Sequence, residues 1–283
     1  MRISTEIHSA SRILGEERAI AALAEAGFDA WDFSMFSMCG FDWATSSPII
    51  GDHPLSGPDY LKFARRLKQV GLDHGIVCNQ SHAPFPTGDA TIRGFLKRAI
   101  EGTAEAGGSI CIIHPDSYKS AKENAEIYAE LLPFAKDCGV KIATENMWGW
   151  DREKNESSFA ACATPASFCE HIDILGDDFL VACLDVGHAE MRGSCTTAVE
   201  MIHALGHRLQ ALHLHDNDQW RDRHQIPFSM QIDFAAVKKA LDEIGYAGYY
   251  TLEADQFLAA YDESNVKEGI RLLAEAAFRI EQL

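Results

Sequence analysis

The chain of 283 residues carries 42 acidic against 25 basic side chains, a formal net charge of −17, and is 47% hydrophobic. That is a globular composition, long enough for one large α/β domain or two ordinary ones, and its charge argues against unaided binding to a phosphate backbone, which needs Lys and Arg. No window reaches the run of about 18 apolar residues that a membrane span needs, and the opening Met1-Arg2-Ile3-Ser4-Thr5-Glu6 has no apolar signal core.

Short apolar runs alternate with longer segments of 3.6-residue periodicity. A first strand is expected over 3–8 and a helix over 16–26, ended by Gly27. A second strand follows at 30–35. A helix is expected over 59–69, with Tyr60, Phe63, Ala64 and Leu67 on one face, and a third strand over 75–78. Then come a helix at 91–106, a fourth strand at 109–114 and a long helix at 121–138 stopped by Gly139. The second half repeats the pattern. Strands are expected at 140–145, 180–185, 209–215 and 249–253. Helices are expected at 165–174, 196–205, 234–244 and 263–280.

Eight strand-then-helix units with no linker between them predict a single (β/α)8 barrel domain over 1–283. The doubly wound alternative lacks a GxGxxG after the first strand, and no GxxxxGK[ST] occurs. Long insertions follow strands two (36–58), five (147–164) and seven (216–232). Their aromatics Phe36, Phe41, Trp43, Trp148, Trp150 and Trp220 are candidates to cover a pocket or to anchor the loops. The eight cysteines form no CxxC pair, and Cys78, Cys111 and Cys183 lie inside apolar runs. Reduced, mostly buried thiols of a cytoplasmic protein are expected.

Strands five to eight end in Thr144-Glu145-Asn146, Leu184-Asp185-Val186-Gly187-His188, His213-Leu214-His215-Asp216 and Leu252-Glu253. A charge at the end of an apolar run must be paired, solvated or metal-bound. Four in succession favour a metal. Three carboxylates with one imidazole suit Mn2+ or Mg2+, with Zn2+ or Co2+ also possible. Only one of His213 and His215 is expected to look into the barrel mouth. His82, His114 and the run Asp222-Arg223-His224 add polar groups. They could complete a multinuclear site or a sugar pocket.

At these residues the chain resembles the xylose isomerase-like TIM-barrel superfamily, which spans sugar isomerases and epimerases, inosose dehydratases and endonuclease IV. The resemblance to the ketose 3-epimerase branch implies one divalent metal on Glu145, Asp185, His215 and Glu253. Its register is what selects His215. It also implies Glu145 and Glu253 as base and acid, His188 as a substrate-orienting group, and Arg221 as a substrate contact. The resemblance to the endonuclease IV branch maps ligands onto His82, His114, Glu145, Asp185, His188, His215, Asp222, His224 and Glu253. The net charge and a short loop between His215 and Asp222 speak against that branch.

The leading expectation is isomerisation or epimerisation of a small sugar or polyol-derived substrate through a metal-stabilised enediolate, with no nucleic acid and no membrane as partner. His82, His114, Trp148, Arg221, Asp222 and His224 are expected against the substrate. A dehydratase, a phosphoesterase of endonuclease type and a non-catalytic carbohydrate-binding barrel are the alternatives. A homodimer or homotetramer is plausible from the resemblance.

Overall fold

Seven of the eight apolar runs lie between helices, so their faces are covered on both sides and the backbone must pair within the sheet. The computed structural model describes residues 2–283. Its barrel strands are β1 (Arg2–Glu6), β2 (Ala30–Ser34), β3 (Val77–His82), β4 (Ile110–Ile112), β5 (Lys141–Glu145), β6 (Leu180–Asp185), β7 (Leu209–His213) and β8 (Tyr249–Leu252). They form one parallel sheet in the order β7-β6-β5-β4-β3-β2-β1-β8. Leu214 closes it: its N–H donates to the Thr251 carbonyl at 2.9 Å, and its carbonyl accepts from Glu253 at 3.0 Å. The (β/α)8 barrel expected from the alternation is the fold.

Strand parity decides what faces inward. On β5 to β7 the residues Ile142, Ala182, Leu184 and Leu212 pack outward in the main core. Ala143, Val181, Cys183 and Ala211 meet in a small inner cluster. Period-2 alternation then carries Glu145, Asp185 and His213 onto the same inner face, at the carboxyl ends of their strands. All three are buried.

The helices pack by their predicted faces. Ala121–Cys138 begins at a capping box, in which Ser120 and Glu123 satisfy one another's backbone N–H groups. It ends at Gly139 with φ 68°, a left-handed turn that a side chain would strain. Its buried Tyr128 donates to the Ile113 carbonyl at 3.1 Å and lies 2.6 Å from the Thr144 hydroxyl. That contact fixes the end of β5 one residue before Glu145.

Several boundaries differ from expectation. β3 lies over Val77–His82 rather than 75–78, so His82 is its last residue. The helix expected at 91–106 is two, Ala90–Arg93 and Leu96–Ala106. Asp89 caps the first by accepting from the Thr91 and Ile92 N–H groups. β7 stops at His213. An unexpected helix, His8–Leu14, follows β1. Two hairpins, Gly40–Asp42 with Ser47–Ile49 and Gly149–Asp151 with Glu156–Ser158, stand apart from the barrel sheet. All eight cysteines are free, and only Cys195 is exposed. No helix among the described residues is long and apolar enough to cross a membrane.

Candidate active site

The strand ends and the loops after them converge on a cavity of about 830 Å3. Its floor is polar. Five overlapping groups of side chains there each bring ligand-type atoms within 4.8 Å of one another, and three of them take in every member but Cys183. The first is His82, His114 and Glu145. The second is Glu145, Asp185, His213 and Glu253. The third is His188, His215, Asp222 and His224. Glu145 belongs to the first two.

In the second group, His213 Nδ1 lies 3.3 Å from Glu145 Oε2 and 3.2 Å from Glu253 Oε2. Neither approach is aligned as a hydrogen bond, and both His213 Nδ1 and Glu145 Oε2 are buried without a partner. His215 Nδ1 and Asp222 Oδ1 are orphaned likewise. Buried polar atoms are ordinarily satisfied. Carboxylate oxygens and imidazole nitrogens facing each other unbonded fit a divalent cation between them.

The imidazoles are aimed from behind. The Nδ1 atoms of His82, His188 and His224 lie 2.9, 2.8 and 2.8 Å from the backbone carbonyls of Ala83, Asn146 and Glu253. Each Nδ1–H donates there, which turns Nε2 toward the site. His82 Nε2 and His114 Nε2 then meet at 2.9 Å, and His114 Nε2 sits 3.3 Å from Glu145 Oε2. Asp222 Oδ2 accepts from His224 at 3.0 Å and from His188 at 3.2 Å. His215 stacks on His224 with centroids 4.0 Å apart and holds Asp185 at 3.1 Å.

A model of the xylose isomerase-like TIM barrel family matches residues 20–276. The chain belongs to that family. The uncharacterized protein MJ1311 of Methanocaldococcus jannaschii is 27% identical over 282 residues, covering 92% of this chain and 87% of the relative. Among solved structures, a D-tagatose 3-epimerase-like protein superposes with a TM-score of 0.71 at 20% identity, covering 100% of this chain and 99% of the other. The IOLI protein with a bound zinc atom gives 0.70 at 17% identity, covering 99% and 98%. These likenesses establish the shared barrel.

Within this xylose isomerase-like barrel the expected residues are placed unequally. His82, His114, Glu145, Trp148, His188, Asp222, His224 and Glu253 all line the cavity. Of the expected four-residue set, Glu145, Asp185 and Glu253 stand together with His213, and His215 lies 3.1 Å from Asp185 in the neighbouring group. The expectation that only one of the two histidines looks inward fails, because residues two apart on extended chain share a face. Both are fully buried, and His215, beyond the end of β7, serves the neighbouring group. The Arg221 guanidinium lies 4.0 Å over the ring of Trp150, a cavity residue, and donates to Asn155.

Asp32 was missed. It is fully buried in the middle of β2 and accepts from Gln80 Nε2 at 2.8 Å. His213 Nε2 lies 3.4 Å from the same oxygen. A carboxylate behind an imidazole fixes its ring orientation and raises its basicity. The signal was present in Trp31-Asp32-Phe33, a carboxylate inside an apolar run.

The acids and imidazoles offset one another. Burial opposes the charge of Glu145, but His213 and His114 outweigh it and hold the carboxyl well below the usual range. Burial, with Glu145 and Asp185 nearby, pushes Glu253 well above it despite His213 and His224. His188 is raised to about 10: burial opposes its charge, and Asp185 and Asp222 prevail. Burial likewise opposes charge on His224, which Asp222 and Glu253 raise well above the ordinary value.

A pH prediction follows. The raised histidines stabilise the metal-free fold fully below about pH 6.5, their unfolded value. That contribution is lost as pH rises, through about 10 for His188. A cation held by Glu145, Asp185, His213 and Glu253 must displace any proton on Glu253 or His213, both pushed well above their ordinary values, so its apparent affinity rises about tenfold per pH unit for each proton released. Calorimetric titration of metal-stripped protein with Mn2+ in buffers of different ionisation enthalpy should count at least one released proton at pH 7. A pH-independent affinity would refute this.

Proposed function

We propose that this chain is a divalent-metal-dependent isomerase or epimerase of a neutral sugar or sugar-like hydroxy-carbonyl compound. One observation carries the reading. The Glu145, Asp185, His213 and Glu253 group opens on a cavity lined by carboxylates, imidazoles and aromatic rings, with neither Lys nor Arg among its described lining residues. A phosphorylated substrate would find no Lys or Arg there to pair with its phosphate, and would meet Asp89, Asp116, Asp222 and Asp255 instead. The family membership, and the likeness to a D-tagatose 3-epimerase-like protein and to a zinc-binding barrel, support the reading.

Glu145, Asp185, His213 and Glu253 would hold the ion. Their mostly oxygen donor set favours Mn2+, with Mg2+, Co2+ and Zn2+ as alternatives. When bound, the ion supplies Lewis-acid polarisation of substrate oxygens. The protein's own groups move the protons. Glu145 takes the proton from the carbon beside the carbonyl, and Glu253 stands on the other side to deliver one. His188 presents its Nε2 to a substrate oxygen, and His82, His114, Asp222 and His224 meet hydroxyls. Trp148, whose Nε1 donates to Asp222 at 3.3 Å, covers the site against water.

Protein supplied with Mn2+ in D2O and offered a panel of neutral ketoses and aldoses is expected to place deuterium on the carbon next to the carbonyl, as read by mass spectrometry. Neither exchange nor product across the panel would overturn the assignment. A dehydrated product without a stereoisomer would move it to a lyase.

A second reading has its own observation. Glu145 joins two donor groups, and a third lies beside them. Bridged metals of that kind suit phosphoester hydrolysis. Elemental analysis separates the two readings: one ion per chain supports the isomerase, and two or three favour the hydrolase.

A further inference from the structure

The cavity is unevenly furnished. Its titratable floor comes from the ends of β3 to β8 and the loop after β7, whereas the loops after β2 to β5 raise an aromatic wall of Phe41, Trp43, Phe85, Tyr118, Trp148 and Trp150. The volume of about 830 Å3 falls in the upper part of the roughly 300–1,000 Å3 range that holds drug-sized ligands, far more than one sugar ring occupies.

The outermost rings are also the most exposed. Trp43 is 66% and Tyr118 87% accessible, although both line the cavity. Trp43 is held, not loose: it packs edge-on against Phe41 at 4.9 Å, on a hairpin paired with Ser47–Ile49, and lies 6.4 Å from Phe85. Trp150, by contrast, already carries the Arg221 guanidinium. Beside these rings the rim offers acceptors, Asp89, Asp116 and Asp255. A neutral sugar ring presents an apolar C–H face to an aromatic plane and hydroxyl donors to carboxylates, so this rim has the chemistry of a second sugar position.

We propose that the substrate is a glycoside, with its reacting ring on the polar floor and its second ring in an outer subsite formed by Trp43, Phe85 and Tyr118. The proposal rests on the isomerase reading and names the substrate class for it. Trp43 and Tyr118 touch no group assigned to proton transfer, and their exposure makes replacement by Ala harmless to folding.

The test is binding, not turnover. Mn2+-loaded protein is titrated calorimetrically with glucose, galactose and fructose, and with the reducing disaccharides maltose, cellobiose, lactose and lactulose, whose terminal ring can open to a carbonyl. At least one disaccharide is expected to bind ten-fold or more tightly than its own free hexoses. Trp43→Ala and Tyr118→Ala should each cut that gain to three-fold or less and leave hexose binding unchanged. A gain that survives both substitutions, no preference for any disaccharide, or no binding across the panel overturns the proposal. Deuterium exchange into a free sugar by the same preparation would keep the isomerase reading standing in each of those cases.

Discussion

Glu145→Gln is expected to lower solvent exchange at the substrate carbon by about 1,000-fold, within the range that a general base supplies. The same change touches the fold. Glu145 is buried among His82, His114 and His213, at 3.7, 3.3 and 3.3 Å. Removing its charge leaves the imidazolium of His213 without a full counter-charge. Breaking a buried pair in this way costs about 3–5 kcal/mol. The denaturation midpoint of the metal-free variant should therefore fall at neutral pH. Glu253→Gln provides the contrast. In the metal-free protein burial pushes the Glu253 carboxyl well above its usual range, so a neutral amide costs less there than at Glu145. Exchange should be lost to a similar degree with a much smaller change in the metal-free midpoint. Near wild-type exchange by either metal-loaded variant would refute the two-carboxylate scheme.

Asp216→Ala is expected to disable the site from outside it. Asp216 is fully buried just beyond β7, and its carboxylate accepts four backbone N–H groups. Met230, Gln231 and Ile232 donate at 2.8, 3.0 and 3.0 Å, and Asn217 at 2.9 Å. Its backbone also pairs with Gln225 in both directions. One side chain thus clips together both ends of the loop that carries Asp222 and His224. Each buried donor left unsatisfied costs about 1–3 kcal/mol, so the variant should lose at least about 2 kcal/mol of stability. Limited proteolysis should cut first within 217–231. Exchange should fall at least about ten-fold, because Asp222 no longer anchors His188 and His224. An intact loop in the variant would show that the backbone pairing suffices.

Much of the fold was legible because it is local. Ala121–Cys138 carries its start signal in Ser120 and Glu123 and its stop in Gly139, and it was read to the residue. Leu180–Asp185, an uninterrupted apolar run, was read equally well. The hairpins were not, because three-residue strands are too short for alternation to register. At the site, the carboxylates ending strands five, six and eight stood out against apolar runs. The choice between His213 and His215 was tertiary. Both face inward, and only the end of β7 and the bridge from Leu214 to Leu252 determine which one reaches Glu145. Loop spacing likewise says nothing about the Trp150 ring on which Arg221 rests.

The separation of the two hairpins from the barrel sheet has a consequence for how such a protein can diversify. Neither hairpin shares a ladder with the strands that hold the titratable residues; the second is tied instead to the Arg192 carbonyl in the loop after β6, through the Ser157 N–H and hydroxyl. Insertions, deletions or whole exchanges at 40–49 and 149–158 can therefore accumulate without disturbing register beneath them. The rim of the cavity can thus be remodelled while the buried acids and imidazoles at the strand ends keep their places.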